Sequence, residues 1–205
     1  MLTPPQKPIL VIDDEESMRD SCKKILTKDG YSVETAPDGG SGLQKVREIH
    51  PDLVLVDLKM PGLSGMDVLD QIRAIDPGII SVVITGYATI ESAVEAMKRG
   101  AYDYLPKPFT PDELRIIVRR GLERRRLALE AEALREERRK LEENFITLVS
   151  HELRTPLVAV QQYCDTIAEG FVGELAAPQK KMMDRARERV KAMLKLISDW
   201  LNLSR

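Results

Sequence analysis

Over residues 8 to about 120, short apolar runs alternate with amphipathic stretches. The runs Ile9-Leu10-Val11-Ile12, Leu53-Val54-Leu55-Val56 and Ile79-Ile80-Ser81-Val82-Val83-Ile84 are brief, nearly continuous and rich in β-branched residues. That is the pattern of strands covered on both faces of a parallel sheet. Tyr31 to Thr35 and Ala101 to Leu105 are weaker strand candidates. Helical periodicity fills the intervals at roughly 15–28, 38–48, 64–75 and 88–99, and Gly30, Pro51, Pro77 and Gly100 punctuate it. The expectation is a doubly wound α/β domain with a five-stranded parallel sheet, flavodoxin-like in build.

Beyond residue 110 the strand pattern stops. Thr110-Pro111 reads as an N-cap followed by proline at the first helical position, and Glu113 completes a capping box. No stop signal follows for a long way, and Gly121 is the one weak spot. Leu127, Leu134, Leu141 and Leu148 recur every seven residues, with Ala131, Arg138 and Phe145 at the alternate positions. This a/d pattern predicts a parallel coiled coil, marginal because Arg138 is a poor seam residue. The plainer reading is one amphipathic helix with a solvated charged face. The helical pattern runs on past Pro156 to about Ala168, Gly170 and Gly173 mark a turn, and a second helix starts near Pro178. Its apolar face carries Met182, Met183, Ala186, Val190, Met193, Leu194, Ile197 and Leu201. Two such helices bury their faces best as a helical hairpin that dimerises into a four-helix bundle.

Composition narrows the function classes. Lys and Arg total 31 against 33 Asp and Glu, a net charge of −2, and aromatics are 4% of the 205 residues. A nucleic-acid binder ordinarily shows a basic excess and stacking aromatics, so no nucleic-acid partner is expected. No apolar run approaches the ~20 residues of a membrane span, and the N-terminus lacks a signal-peptide pattern, so a cytoplasmic protein is expected. Cys22 and Cys164 have no metal-ligand spacing and read as reduced thiols.

The chemistry-bearing residues of the first half fall after predicted strands: Asp13 and Asp14, Asp57, Thr85, and Lys107-Pro108. Three carboxylates at one sheet edge repel one another unless a cation is present, and hard oxygen ligands suit Mg²⁺. A carboxylate beside that ion can attack a phosphoryl group to give an acyl phosphate, whose oxygens Lys107 and Thr85 could hold. Taken singly, each aspartate is an ordinary turn or cap residue. Together with Asp57-Leu58-Lys59-Met60-Pro61-Gly62, Thr85-Gly86 and Lys107-Pro108-Phe109, they resemble a response-regulator receiver domain over residues 8–123. The resemblance implies that Asp57 is the phosphoacceptor. It implies that Asp14, Asp57 and the Lys59 backbone carbonyl bind Mg²⁺, with Asp13 assisting through water. It makes Thr85 and Tyr104 the switch pair, Tyr104 otherwise being a core tyrosine of the fifth strand. Lys59 and Tyr87, both bulky, are expected to shield the acyl phosphate from water, or simply to face solvent.

Of the two histidines, His50 precedes Pro51 and reads as a surface loop residue. His151 lies in Ser150-His151-Glu152-Leu153-Arg154-Thr155-Pro156-Leu157, just beside the heptad seam. Glu152 could take a proton from its imidazole, and Pro156 removes the backbone hydrogen bond to residue 152. The stretch resembles the phosphoacceptor box of sensor histidine kinases, within a dimerisation and histidine-phosphotransfer domain. The resemblance implies that His151 is phosphorylated, with Glu152 as the base and Thr155 orienting water in the phosphatase direction. The domain division expected is 1–123 receiver, 110–145 linker helix and coiled coil, and 145–205 phosphotransfer domain. The ATP-binding domain of that family and its glycine-rich motifs do not follow, so autophosphorylation with ATP alone is not expected. The leading expectation is the N-terminal part of a hybrid histidine kinase. It is a homodimer served by an ATP-binding domain in cis or trans, with a downstream response regulator as partner. A stand-alone relay or scaffold protein is the alternative. A transcriptional response regulator is disfavoured because no helix-turn-helix follows.

Overall fold

A computed structural model describes residues 7–203 apart from Ala88 and Val172, with the side chains of Glu143 and residues 201–203 also outside the description. The expected apolar position Leu201 therefore lies outside the described residues. The elements in order are β1 (Ile9–Ile12), α1 (Glu16–Lys28), β2 (Val33–Ala36), α2 (Gly39–Ile49), β3 (Leu53–Val56), α3 (Gly65–Ile75), β4 (Ile80–Thr85), α4 (Ile90–Lys98), β5 (Asp103–Pro106), α5 (Pro111–Ala168) and α6 (Ala177–Leu203). The chain divides into two compact units, residues 1–131 and residues 132–205. Among the described residues no helix is long and apolar enough to cross a membrane.

In the first unit all five strands pair in parallel, in the order β2-β1-β3-β4-β5. Successive side chains of a strand point to opposite faces, so each apolar run feeds two cores. Leu10, Ile12, Val54, Val56 and Val83 pack with Leu43, Val46, Val68, Leu69, Ile72 and Ala96 from α2, α3 and α4. Ile9, Val11, Leu53, Leu55, Val82 and Ile84 pack with Cys22, Leu26, Leu114 and Val118 from α1 and α5. Both faces being covered explains why these strands are unbroken apolar runs rather than alternating ones.

Local signals set the helix starts. Asp38 accepts from Ser41 N at 2.8 Å ahead of α2, and Thr89 forms a capping box with Ser92 ahead of α4. The Thr110–Glu113 box is present in both directions, with Thr110 N donating to Glu113 Oε2 at 2.7 Å and Glu113 N to Thr110 Oγ1 at 3.3 Å. His50 proves to be the left-handed C-cap of α2 (φ 44), exposed.

One reading of α5 changes. Gly121 is buried, and a Cβ there would lie 2.9 Å from both Ile80 Cγ2 and Leu53 Cδ1. It is a close-approach position where the helix lies on the sheet, not a weak spot. One turn on, Arg125 is buried, with Nη2 2.9 Å from Asp76 Oδ2 and Nε 3.4 Å from Asp52 Oδ1. That charge cluster joins α5 to the residues that precede β3 and end α3.

In the second unit, α5 and α6 are joined by a turn in which Gly170 (φ 84) and Gly173 (φ 113) adopt conformations that favour glycine. Arg187 Nε donates to Asp165 Oδ1 at 2.6 Å, and Arg154 Nη2 to Ser198 Oγ at 3.2 Å. The two pairs are symmetric about the turn, as in a helical hairpin. Leu134, Leu141, Phe145 and Leu148 are exposed along α5, as are Met182, Met193 and Leu196 along α6. Ser150 and Val190 are buried.

Candidate functional site

The sheet order places β1 between β2 and β3, so the direction of winding reverses beside β1. Open α/β sheets form their crevice at such a reversal, outside the carboxyl ends of the strands. The last hydrogen bonds of the ladder hold the site residues there. Asp13 N donates to Ala36 O at 3.2 Å, Asp57 N to Ile12 O at 2.9 Å, and Lys107 N to Thr85 O at 2.9 Å. Residues far apart in the chain are thus fixed at one edge by backbone pairing alone.

Asp13 and Asp57 are 2% and 5% exposed, while Asp14 faces solvent. Oxygens of these three carboxylates lie within 4.8 Å of one another. Lys107 Nζ donates to Asp57 Oδ2 at 2.7 Å and to Asp13 Oδ2 at 2.8 Å, and stands 3.7 Å from Glu15 Oε1. The second oxygen of each buried carboxylate accepts from the backbone: Asp57 Oδ1 from Lys59 N at 3.1 Å and Asp13 Oδ1 from Glu15 N at 2.9 Å. Burial pushes the Asp13 carboxyl above its usual range, although Lys107 and the Glu15 amide pull the other way. Burial alone would lower the Lys107 ammonium. The hydrogen bonds and charges of Asp13 and Asp57 outweigh it and leave Lys107 above its usual value. One lysine thus faces two buried carboxylates and a third nearby, an arrangement whose hard oxygen donors suit a small divalent cation.

Thr85, fully buried at the end of β4, accepts from Tyr87 N at 3.3 Å. Tyr104 is half-buried, and its hydroxyl lies 3.0 Å from Ser92 Oγ and donates to Tyr87 O at 3.4 Å. Lys59 Nζ stands 3.1 Å from the centroid of the Tyr87 ring, so the two bulky residues form a cation–π pair. The Lys107-Pro108 peptide bond is cis.

In the second unit the His151 side chain is 79% exposed, with Nδ1 4.0 Å from Glu152 Oε1. The Thr155 hydroxyl donates to the His151 carbonyl at 3.2 Å. His151, Glu152 and Thr155 are therefore brought together on one helical surface.

Sequence reasoning missed Arg19 and Arg125. Arginines on amphipathic helices read as solvated, and only tertiary contact reveals what these two hold. Arg19 Nη1 donates to the Asp13 carbonyl at 2.7 Å and to the Asp14 carbonyl at 2.9 Å.

Comparison with known proteins identifies a domain in each unit. The response regulator receiver domain profile matches residues 9–119, and the His Kinase A (phospho-acceptor) domain profile matches residues 141–205. The regulatory protein AtoC of Escherichia coli is 38% identical over 115 residues, which are 56% of this chain and 25% of AtoC. The C4-dicarboxylate transport transcriptional regulatory protein DctD of Pseudomonas aeruginosa is 38% identical over 178 residues, 87% of this chain and 36% of DctD. This chain thus spans about a quarter to a third of the length of these relatives. Among solved structures, a CheY-like receiver domain protein from Methanospirillum hungatei superposes with a TM-score of 0.57 at 35% identity, over 58% of this chain and 96% of that one. A receiver and a phospho-acceptor domain in one chain are parts of two-component signalling. The chain belongs to the response regulator receiver family through residues 9–119 and continues into a His Kinase A phospho-acceptor domain over residues 141–205.

Proposed function

We propose that the chain carries out phosphoryl transfer at two sites, with Asp57 as the receiver's acceptor and His151 as the acceptor of a histidine kinase. The observation that supports this most is the buried pairing of Asp57 and Asp13 with Lys107, 2.7 and 2.8 Å away, beside the exposed Asp14. Asp14, Asp57 and the Lys59 carbonyl would hold Mg²⁺, with Asp13 assisting. When bound, the ion supplies positive charge against the carboxylates and the incoming phosphoryl oxygens. An Asp57 carboxylate oxygen forms the bond to phosphorus as the donor's P–N or P–O bond breaks. The electron pair of that bond leaves with the imidazole nitrogen or with the carboxylate oxygen of the acyl phosphate donor. Lys107 turns from the carboxylate to a phosphoryl oxygen, and Thr85 donates its hydroxyl to another. Tyr104 follows Thr85 inward, giving up its bonds to Ser92 and Tyr87.

At His151, Glu152 takes the imidazole proton while a ring nitrogen bonds to the γ-phosphorus of ATP, the bond to the ADP oxygen breaks and ADP leaves; Thr155 orients water in the phosphatase direction. The phosphoryl source is ATP bound by a kinase domain supplied in cis or trans. In this reading the full-length protein is a cytoplasmic hybrid kinase that serves a downstream response regulator. Phosphorylation of Asp57 shifts a two-state equilibrium of the receiver and thereby regulates His151, or the two residues exchange phosphate.

The exposed stripe of Leu134, Leu141, Phe145 and Leu148 supports a homodimer through the coiled coil and a four-helix bundle. Cysteines placed at Leu134 and Leu141 should crosslink between subunits, and their efficiency should change on phosphorylation of Asp57. Equal crosslinking in both states would remove the coil from the signalling path.

The decisive experiment is labelling with acetyl phosphate and Mg²⁺ in wild type, Asp57→Asn and His151→Ala. Wild type and His151→Ala should take up acyl phosphate, and Asp57→Asn none. Acid-labile label on His151 that depends on Asp57 establishes exchange between the sites, and absence of all label overturns the reading. In the same assay, Tyr87→Ala and Lys59→Ala should lose phosphate several-fold faster than wild type, because the cation–π pair no longer screens the acyl phosphate. Unchanged decay rates would leave that pair without a protective role.

A further inference from the structure

Among the three carboxylates of the acidic cluster, only Asp14 has a side chain that the protein does not hold. Asp57 is fixed by Lys107 and the Lys59 amide, and Asp13 by Lys107 and the Glu15 amide. Among the described residues no hydrogen bond or ion pair reaches the Asp14 carboxylate, and the residue is exposed. Its position is therefore set by its backbone. That backbone is a short non-helical link between the end of β1 and the start of α1. A single nitrogen, Arg19 Nη1, bridges the two peptide carbonyls on either side of the Asp14 α-carbon, those of Asp13 at 2.7 Å and Asp14 at 2.9 Å. Arg19 itself is half-buried in the first turn of α1, where its own amide bonds to the Glu15 carbonyl at 3.1 Å. The guanidinium is thus anchored on a rigid element and grips the link at both of its peptide planes.

We propose that Arg19 is the positioning residue of the cation site: it fixes the Asp13–Asp14 link so that Asp14 presents its carboxylate to the divalent ion without first having to be ordered. The inference rests on the reading of the acidic cluster as a Mg²⁺ site. Partners outside the ligand shell that orient a ligand are commonly worth about 10- to 100-fold in metal affinity. Arg19 never touches the ion or the phosphoryl group, so its loss acts on affinity and leaves chemistry at saturating metal intact. Lysine at this position keeps the charge but has a single ammonium on a flexible stem, a poorer match to two carbonyls.

The test is titration of the whole chain with Mn²⁺, read as free ion by electron paramagnetic resonance, in wild type, Arg19→Ala, Arg19→Lys and Asp14→Asn. Thermal unfolding of each is followed by circular dichroism. Arg19→Ala should bind about 10- to 100-fold more weakly than wild type while remaining folded, with Arg19→Lys in between. Labelling by acetyl phosphate should then need correspondingly more Mg²⁺ but reach the wild-type rate at saturation. Wild-type affinity in both Arg19 variants overturns the inference and leaves the metal site standing. A loss of rate in Arg19→Ala that saturating Mg²⁺ does not restore also overturns it. Wild type that binds no better than Asp14→Asn overturns the metal site and the inference together.

Discussion

Lys107→Ala is expected to lower the stability of the receiver unit by about 3 kcal/mol in metal-free buffer. The Lys107 ammonium lies 2.7 Å from Asp57 and 2.8 Å from Asp13, and all three side chains are at least nine-tenths buried. Its removal leaves two buried carboxylates facing each other with only backbone amides to stabilise them. Breaking a buried pair by removing one partner costs far more than the pair itself contributes, because the other charge remains desolvated. Added Mg²⁺ should stabilise the variant more than wild type, since the cation then supplies the missing charge. Hydrogen exchange of the β1 and β3 amides reads this directly. Labelling by acetyl phosphate should fall about 100-fold even with saturating Mg²⁺, the usual effect of losing one donor to a developing anion. Protection and labelling equal to wild type would mean that Lys107 neither balances the carboxylates nor holds the phosphoryl group.

Gly65→Ala should be nearly as damaging, although residue 65 carries no functional group. Gly65 opens α3, and its amide donates to the Leu58 carbonyl at 3.0 Å. A methyl group there would collide with the Asp57 carbonyl oxygen and lie 2.7 Å from the Leu58 α-carbon. Both are backbone atoms, so relief requires the first turn of α3 to move away from the end of β3. Overpacking of this kind costs about 3 kcal/mol. Because the collision falls on the Asp57 peptide, the acceptor carboxylate should shift with it. The expected result is lower urea resistance of the receiver unit together with slower labelling of Asp57. Loss of stability with an unchanged labelling rate would show that the carboxylate is held by Lys107 and the Lys59 amide rather than by its own backbone.

Much of the first unit is legible in the chain because its strands are buried on both faces. Ile9–Ile12 and Leu53–Val56 appear as uninterrupted apolar runs with their ends where the pattern breaks. The weaker strands are displaced by about two residues, and the cause is local. Tyr31 N is held by the Leu26 carbonyl and Ala101 N by the Ala96 carbonyl, so each finishes the preceding helix instead of starting a strand. Pairing begins only later, at Val33 and Asp103. The proline and cap signals around Thr110 were equally readable, since a capping box needs only residues three apart.

What the sequence determined by itself is residue type and order: Asp13, Asp14, Asp57, Thr85 and Lys107 after successive strands, and a histidine, glutamate and threonine on one helix. Their convergence is legible without coordinates, because a parallel sheet gathers the carboxyl ends of its strands at one edge. Tertiary structure alone decided what holds them. The placement of β1 between β2 and β3 brings Asp13 against Asp57, with Lys107 between the carboxylates. Arg19 reaches the carbonyls of Asp13 and Asp14, and Arg125 is drawn into a buried cluster with Asp52 and Asp76. Gly121 is demanded by side-chain approaches from β3 and β4, and Gly65 by the backbone of Asp57 and Leu58 just past β3. None of these has a local signature. An arginine or a glycine in a helix looks the same to periodicity whether it meets solvent or another element, and only the packed fold distinguishes the two.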